Sequence, residues 1–169
     1  MVSTSKRKIS SIIARMIIDL GLIDECKKDY MNLKVIAQKL GYLIQKVGGL
    51  SMGLKFVWLT RGPYSRGLQN YYYKIQELIS KASVDDSFNE QELMAITRVE
   101  EMLNNVRKVV GVLNTEVLEA VASLVMLCTD VYPPPEDPVN ELVIRKKISR
   151  DIITKILEVV KSYGFCLQH

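Results

Sequence analysis

The sequence predicts a mainly α fold, a compact bundle of about six to seven helices with one short extended segment near residues 54–60. Three observations carry this. Apolar residues recur at three- and four-residue spacing along most of the chain. Of its 169 residues, 48% are hydrophobic, enough to fill one continuous core. The helical period breaks once, between Gly53 and Gly62-Pro63, where Phe56, Val57, Trp58 and Thr60 favour a strand. The chain reads as a single domain over residues 1–169, with the polar stretch 81–89 as its one candidate subdivision.

Taken in order, Ile9, Ile12, Ile13, Met16, Ile17 and Leu20 give a first helix one apolar face, and Gly21 stops it. A second, from about Met31, carries Leu33, Ile36, Ala37, Leu40, Leu43, Ile44 and Val47 and ends at Gly48-Gly49. The stretch between them reads as a link. After the strand at Leu54 to Thr60, Gly62 tolerates unusual dihedrals and Pro63 fixes its own φ, so the chain must turn sharply. A third helix starts near Ser65 and carries Leu68, Tyr71, Tyr72, Ile75, Leu78 and Ile79. Ser87 and Asn89, each followed three residues later by Glu, offer capping-box chemistry for a fourth helix running to Val110 with Leu103 and Val106 inward. Asn114 caps a fifth, Thr115 to Asp130, which is apolar almost all round and therefore belongs at the centre. Pro133, Pro134, Pro135 and Pro138 impose an extended connection. Two last helices, over 139–147 and 150–163, part near Ser149 and close at Gly164.

No apolar run reaches the roughly 18 residues that cross a bilayer. Val117 to Cys128 is the longest and contains Glu119. The basic start Lys6-Arg7-Lys8 is followed by Ile-rich sequence that Arg15 and Asp19 interrupt, with no small-residue cleavage site, so a cytoplasmic location without membrane contact is expected. Cys26, Cys128 and Cys166 are odd in number and far apart; reduced thiols in a cytoplasm are the simplest reading, and a disulfide between two of them is the alternative for a hyperthermophile source. Net charge is +4, but residues 1–81 hold 14 Lys and Arg against 5 Asp and Glu, leaving 9 against 14 for the remainder. Either the basic half steers an acidic partner or polyanion, or the two halves complement each other inside one fold.

Catalytic side chains are scarce. The one histidine, His169, is the last residue of the sequence and no basic residue stands close before it. Glu25-x-Lys27 with Asp24 and Asp19 is the nearest approach to a metal-dependent nuclease, but these residues read as exposed charge, as do Asp85-Asp86 and Glu136-Asp137. Gly48-Gly49 lacks the rest of a phosphate loop, and Ser65 reads as a helix cap instead of a nucleophile. The expectation is no enzyme, no cofactor and no metal. Two segments stand out for binding. Trp58 to Tyr73 interleaves Arg61, Tyr64 and Arg66 with Tyr71, Tyr72 and Tyr73, which suits an acidic or aromatic partner surface or nucleic acid; three consecutive tyrosines on a helix also require at least one buried and one exposed. Arg145, Lys146, Lys147 and Arg150 form a basic patch that either contacts phosphate or is a solvated helix face.

From Leu40 to Leu68 the helix with Tyr-Leu-x-Gln, the glycine break, Phe-x-Trp and Gly-Pro-Tyr-Ser resemble the YwgA-type proteins and, more distantly, the Panacea or SocA-like antitoxin domains. The resemblance implies a compact helical fold with a minor extended element, an adaptor, antitoxin or regulatory role, and weight on Gln45, Phe56, Trp58, Gly62, Pro63, Tyr64 and Ser65. The expected function is a non-catalytic regulatory or protein-interaction protein, antitoxin-like, able to form a homo-oligomer. The alternatives are a nucleic-acid-binding regulator using the basic half and, third, a metal-dependent nuclease.

Overall fold

The computed structural model describes residues 2–3, 6–84, 87–146 and 148–168. His169, Asp85, Asp86 and Lys147, weighed above, lie outside the described residues. Eight α-helices are present among those described. They are α1 (Ile9–Asp19), α2 (Ile23–Lys28), α3 (Tyr30–Lys46), α4 (Tyr72–Ser80), α5 (Glu90–Val110), α6 (Thr115–Thr129), α7 (Pro138–Arg145) and α8 (Arg150–Ser162). Short 3-10 turns at Lys6–Lys8 and Arg66–Tyr71 lead into α1 and α4. The extended parts are two pairs of strands. β1 (Val2–Ser3) runs parallel to β2 (Leu50–Ser51), and β3 (Val57–Leu59) runs antiparallel to β4 (Gly62–Tyr64) with Trp58 opposite Pro63.

The helix starts follow local chemistry. Asn89 and Glu92 form a full capping box on α5, Asn114 accepts the Val117 amide at 2.9 Å on α6, and Asp137 and Ser149 do the same for α7 and α8. The eighth helix is α2, which the reading of a plain link missed: six residues are too few to show a periodic face, yet Cys26 is buried and Asp24, Glu25, Lys27 and Lys28 are placed to suit the helix dipole. Its Glu25 is no free loop charge, since Oε1 accepts both the Thr115 amide at 2.9 Å and the Thr115 hydroxyl at 3.0 Å, tying α2 to the start of α6.

Helix α6 is the central element. Every residue from Val117 to Leu127 is buried, and the helix packs against α3, α7, α8 and β4. No single helix among the described residues is long and apolar enough to cross a membrane. The all-thiol reading of the cysteines is corrected: Cys128 at the end of α6 is bonded to Cys166 after α8, while Cys26 is a buried thiol. The charge division is partly used inside the fold. Lys8 pairs with Glu92, Lys46 with Asp130 and Arg61 with Glu119, each a cation of the first half meeting an acid of the second.

Candidate functional site

A cleft of about 550 Å³ opens between α3 and the β3–β4 hairpin. Its α3 wall consists of two rows spaced four residues apart, Tyr30, Lys34 and Gln38 beside Met31, Val35 and Lys39, so consecutive turns of one helix face supply it. Leu59, Arg61 and Tyr64 supply the hairpin wall, and Gln69 and Tyr72 close one end. The rim is apolar and accessible, with Tyr30, Met31 and Leu59 each close to half exposed.

The hairpin is held in place by α3 side chains that bond to its backbone. Gln38 Oε1 accepts the Ser65 amide at 2.7 Å and its Nε2 donates to the Ser65 carbonyl at 2.9 Å and to Tyr72 Oη at 2.6 Å. Buried Lys39 donates from Nζ to the Pro63 carbonyl at 2.8 Å. About two turns further on, Gln45 holds the segment that precedes the hairpin, accepting the Met52 and Leu54 amides and donating to the Leu54 carbonyl. On the other side Gly62 lies against α6. Its φ is +94°, and a Cβ there would stand 2.2 Å from Ser123 Oγ, so glycine is required twice over.

Charge gathers beneath the cleft. Glu119 of α6 accepts from Arg61 Nε at 2.9 Å through one oxygen and from Lys146 Nζ at 2.9 Å through the other. Burial pushes the Lys39 ammonium down to about 7; Glu119 works against this shift, and the like charges of Lys146 and Arg61 add to it.

The structure brings Arg61, Tyr64 and Tyr72 together at this cleft. Arg66 is exposed just outside it, and the consecutive tyrosines divide as the helical period requires, with Tyr71 packed on the core, Tyr72 buried and Tyr73 77% exposed. The compact patch at 145–150 is taken apart. Lys146 turns inward, its side chain 7% exposed between Glu119 and the Thr60 carbonyl, because a buried carboxylate attracts the nearest cation strongly. Arg145 pairs with Glu141 at 2.7 Å and lies 5.8 Å from the centre of the Trp58 ring, and Arg150 donates to Asn140. Ser65 precedes a 3-10 turn, but its backbone, not its hydroxyl, makes the structural bonds. Phe56 meets Tyr42 edge-on, completing the anchored segment.

Sequence reasoning passed over Lys39, Gln38, Tyr30 and Lys34, and named Glu119 without seeking its partners. Lys39 carried a signal: it follows Ile36 by three residues and Val35 by four, which places it on the apolar face of its helix. Among the described residues no group of three or more His, Cys, Asp and Glu side chains is arranged to hold a metal ion. Comparison with protein-family models, curated proteins and solved structures gave no match.

Proposed function

We propose that this protein is a non-catalytic interaction module, regulatory and antitoxin-like in the sense of its resemblance to YwgA-type and SocA-like proteins, which holds a segment of a partner protein in the cleft between α3 and the hairpin. One observation carries the reading: an accessible rim of Tyr30, Met31 and Leu59 surrounds cations, while the polar side chains behind it are committed to fixing the hairpin backbone. Tyrosine, methionine and arginine are side chains enriched at protein contacts, and Tyr30, Met31, Arg61, Tyr64 and Tyr72 all line this cleft. The inward turn of Lys146 and the pairing of Arg145 favour this reading over nucleic-acid binding, which needs cations free to reach phosphate.

Met31 and Leu59 are both on the surface, so replacing them with Asp leaves the fold within about 1 kcal/mol of the parent. Affinity capture from lysate of the source cell is expected to recover a stoichiometric protein partner with the unaltered chain and to lose it with Met31→Asp combined with Leu59→Asp. Equal recovery by both proteins overturns the proposal.

A further inference from the structure

Among the described residues, the cleft and the layer directly beneath it hold more cations than carboxylates. Lys39, Arg61 and Lys146 gather around a single carboxylate, Glu119, and both of its oxygens are already occupied by Arg61 and Lys146. Lys39 Nζ has one acceptor among the described residues, the Pro63 carbonyl, so two of its three N–H bonds have none. Arg61 spends its Nε on Glu119 and keeps its two terminal nitrogens for another acceptor. Lys34 stands at the wall, its Nζ 4.7 Å from the centre of the Tyr30 ring. Among the described residues no Asp or Glu lines the cleft.

We infer that the cleft floor is a carboxylate-binding site, in which Lys39 and Arg61 grip a single carboxylate while Tyr30, Met31, Val35 and Leu59 hold the apolar or aromatic stem that carries it. A buried cation lacking a counterion is unfavourable, and an anion that arrives with its own hydrogen-bond acceptors relieves it. The walls select the kind of anion. A carboxylate carried on an apolar stem fits the aliphatic and aromatic part of the lining, a contact that free phosphate cannot make. The carboxylate belongs either to a free small acid or to an acidic side chain in a partner's segment. In the second form the inference deepens the interaction reading and rests on it; in the first it needs no partner.

The test uses the full chain, isotopically labelled at lysine, with NMR detection of the Lys39 side chain. The probes are 4-phenylbutyrate, a blocked tripeptide N-acetyl-Leu-Glu-Leu-amide, and for each the isosteric neutral amide, phenylbutyramide or the Gln tripeptide. At least one carboxylate is expected to shift the Lys39 Cε resonance saturably, with its amide about tenfold weaker or more, as loss of a charge-assisted pair predicts. Saturation by phenylbutyrate assigns a free acid, and saturation by the tripeptide alone assigns a partner's side chain. Lys39→Met and Arg61→Gln are each expected to weaken binding about tenfold, followed for the variants through the ring and methyl resonances of Tyr30 and Leu59; a cooperative melt of each variant shows that it folds.

A second readout moves only if the amine meets the ligand. The ionisable groups sharing its surroundings are Lys34 on α3, Arg61 and Tyr64 of the hairpin, Tyr30 and Tyr72 at the walls, Glu119 of α6 and Lys146. Bound carboxylate favours the charged amine, so saturating probe raises the pH at which Lys39 titrates. Acid and amide binding alike, no saturation by either carboxylate, unweakened binding by Lys39→Met, or an unmoved titration each overturns the site. Because no partner is present, such a failure leaves the interaction reading standing.

Discussion

Lys39 shows how one side chain can be both strut and liability. It is 2% exposed and holds the Pro63 carbonyl, yet its ammonium titrates near 7 against an ordinary value of 10.5. Between those values the unfolded chain binds more protons than the folded one, so the parent protein gains stability as pH rises from about 7 to 10.5, and below 7 the burden is present in full. The shift corresponds to something on the order of 5 kcal/mol, part of which is offset in Lys39→Met by the loss of the bond to Pro63. Denaturant titrations at pH 6 and pH 10 are therefore expected to show Lys39→Met gaining on the parent at pH 6, with the difference shrinking or reversing at pH 10. A difference that ignores pH contradicts this account. The residue was hard to see in the sequence because a lysine inside an apolar stripe usually lays its stem along the surface and keeps its charge in water. Arg61, Tyr64 and Tyr72 were legible for the opposite reason: cations and aromatics crowd into that short segment of the chain.

At the scale of elements, the helices were largely written in their period and caps, and the capping box at Asn89 and Glu92 is an instance where two residues predict a start that the structure has. What escaped was short. Helix α2 spans too few residues to show a face, and β4 lies within a Gly-Pro-Tyr string that reads as a turn. That strand is acceptable because a proline can stand in a two-stranded ribbon where no further strand demands its missing amide. The hairpin packs on α6 through β4, and Gly62 lies against Ser123 of that helix. Gly62→Ala is expected to destabilise the protein by about 2–4 kcal/mol through a disfavoured φ and a clash with Ser123 Oγ. Adding Ser123→Ala removes the hydroxyl, buried and without a hydrogen-bond partner among the described residues, and should recover part of the loss but not all, since the Ser123 Cβ remains 3.3 Å from the added methyl. Thermal melts of the single and double variants measure both effects; no recovery in the double variant rules out the clash as the cause.

For the whole molecule, one core and one covalent staple join the parts. The Cys128–Cys166 bond closes a separation of 38 residues between the end of α6 and the tail after α8. Restricting the unfolded chain over such a loop is worth about 4 kcal/mol, so reduction, or Cys128→Ala with Cys166→Ala, is expected to lower the melting temperature clearly in calorimetry, and an unchanged melt would sink that estimate. The bond could not be read from spacing, because partners so far apart are matched by tertiary packing alone. The division of charge was visible at once, but its use was not: Glu92, Glu119 and Asp130 each wait for a cation from the other half. Glu119 carries this furthest. It is a counterion with two clients, one in the turn of the hairpin and one at the exit of α7, a segment that does not line the cleft. Because both cations meet on this one carboxylate, the turn of the hairpin and the exit of α7 are moored to the same point of α6.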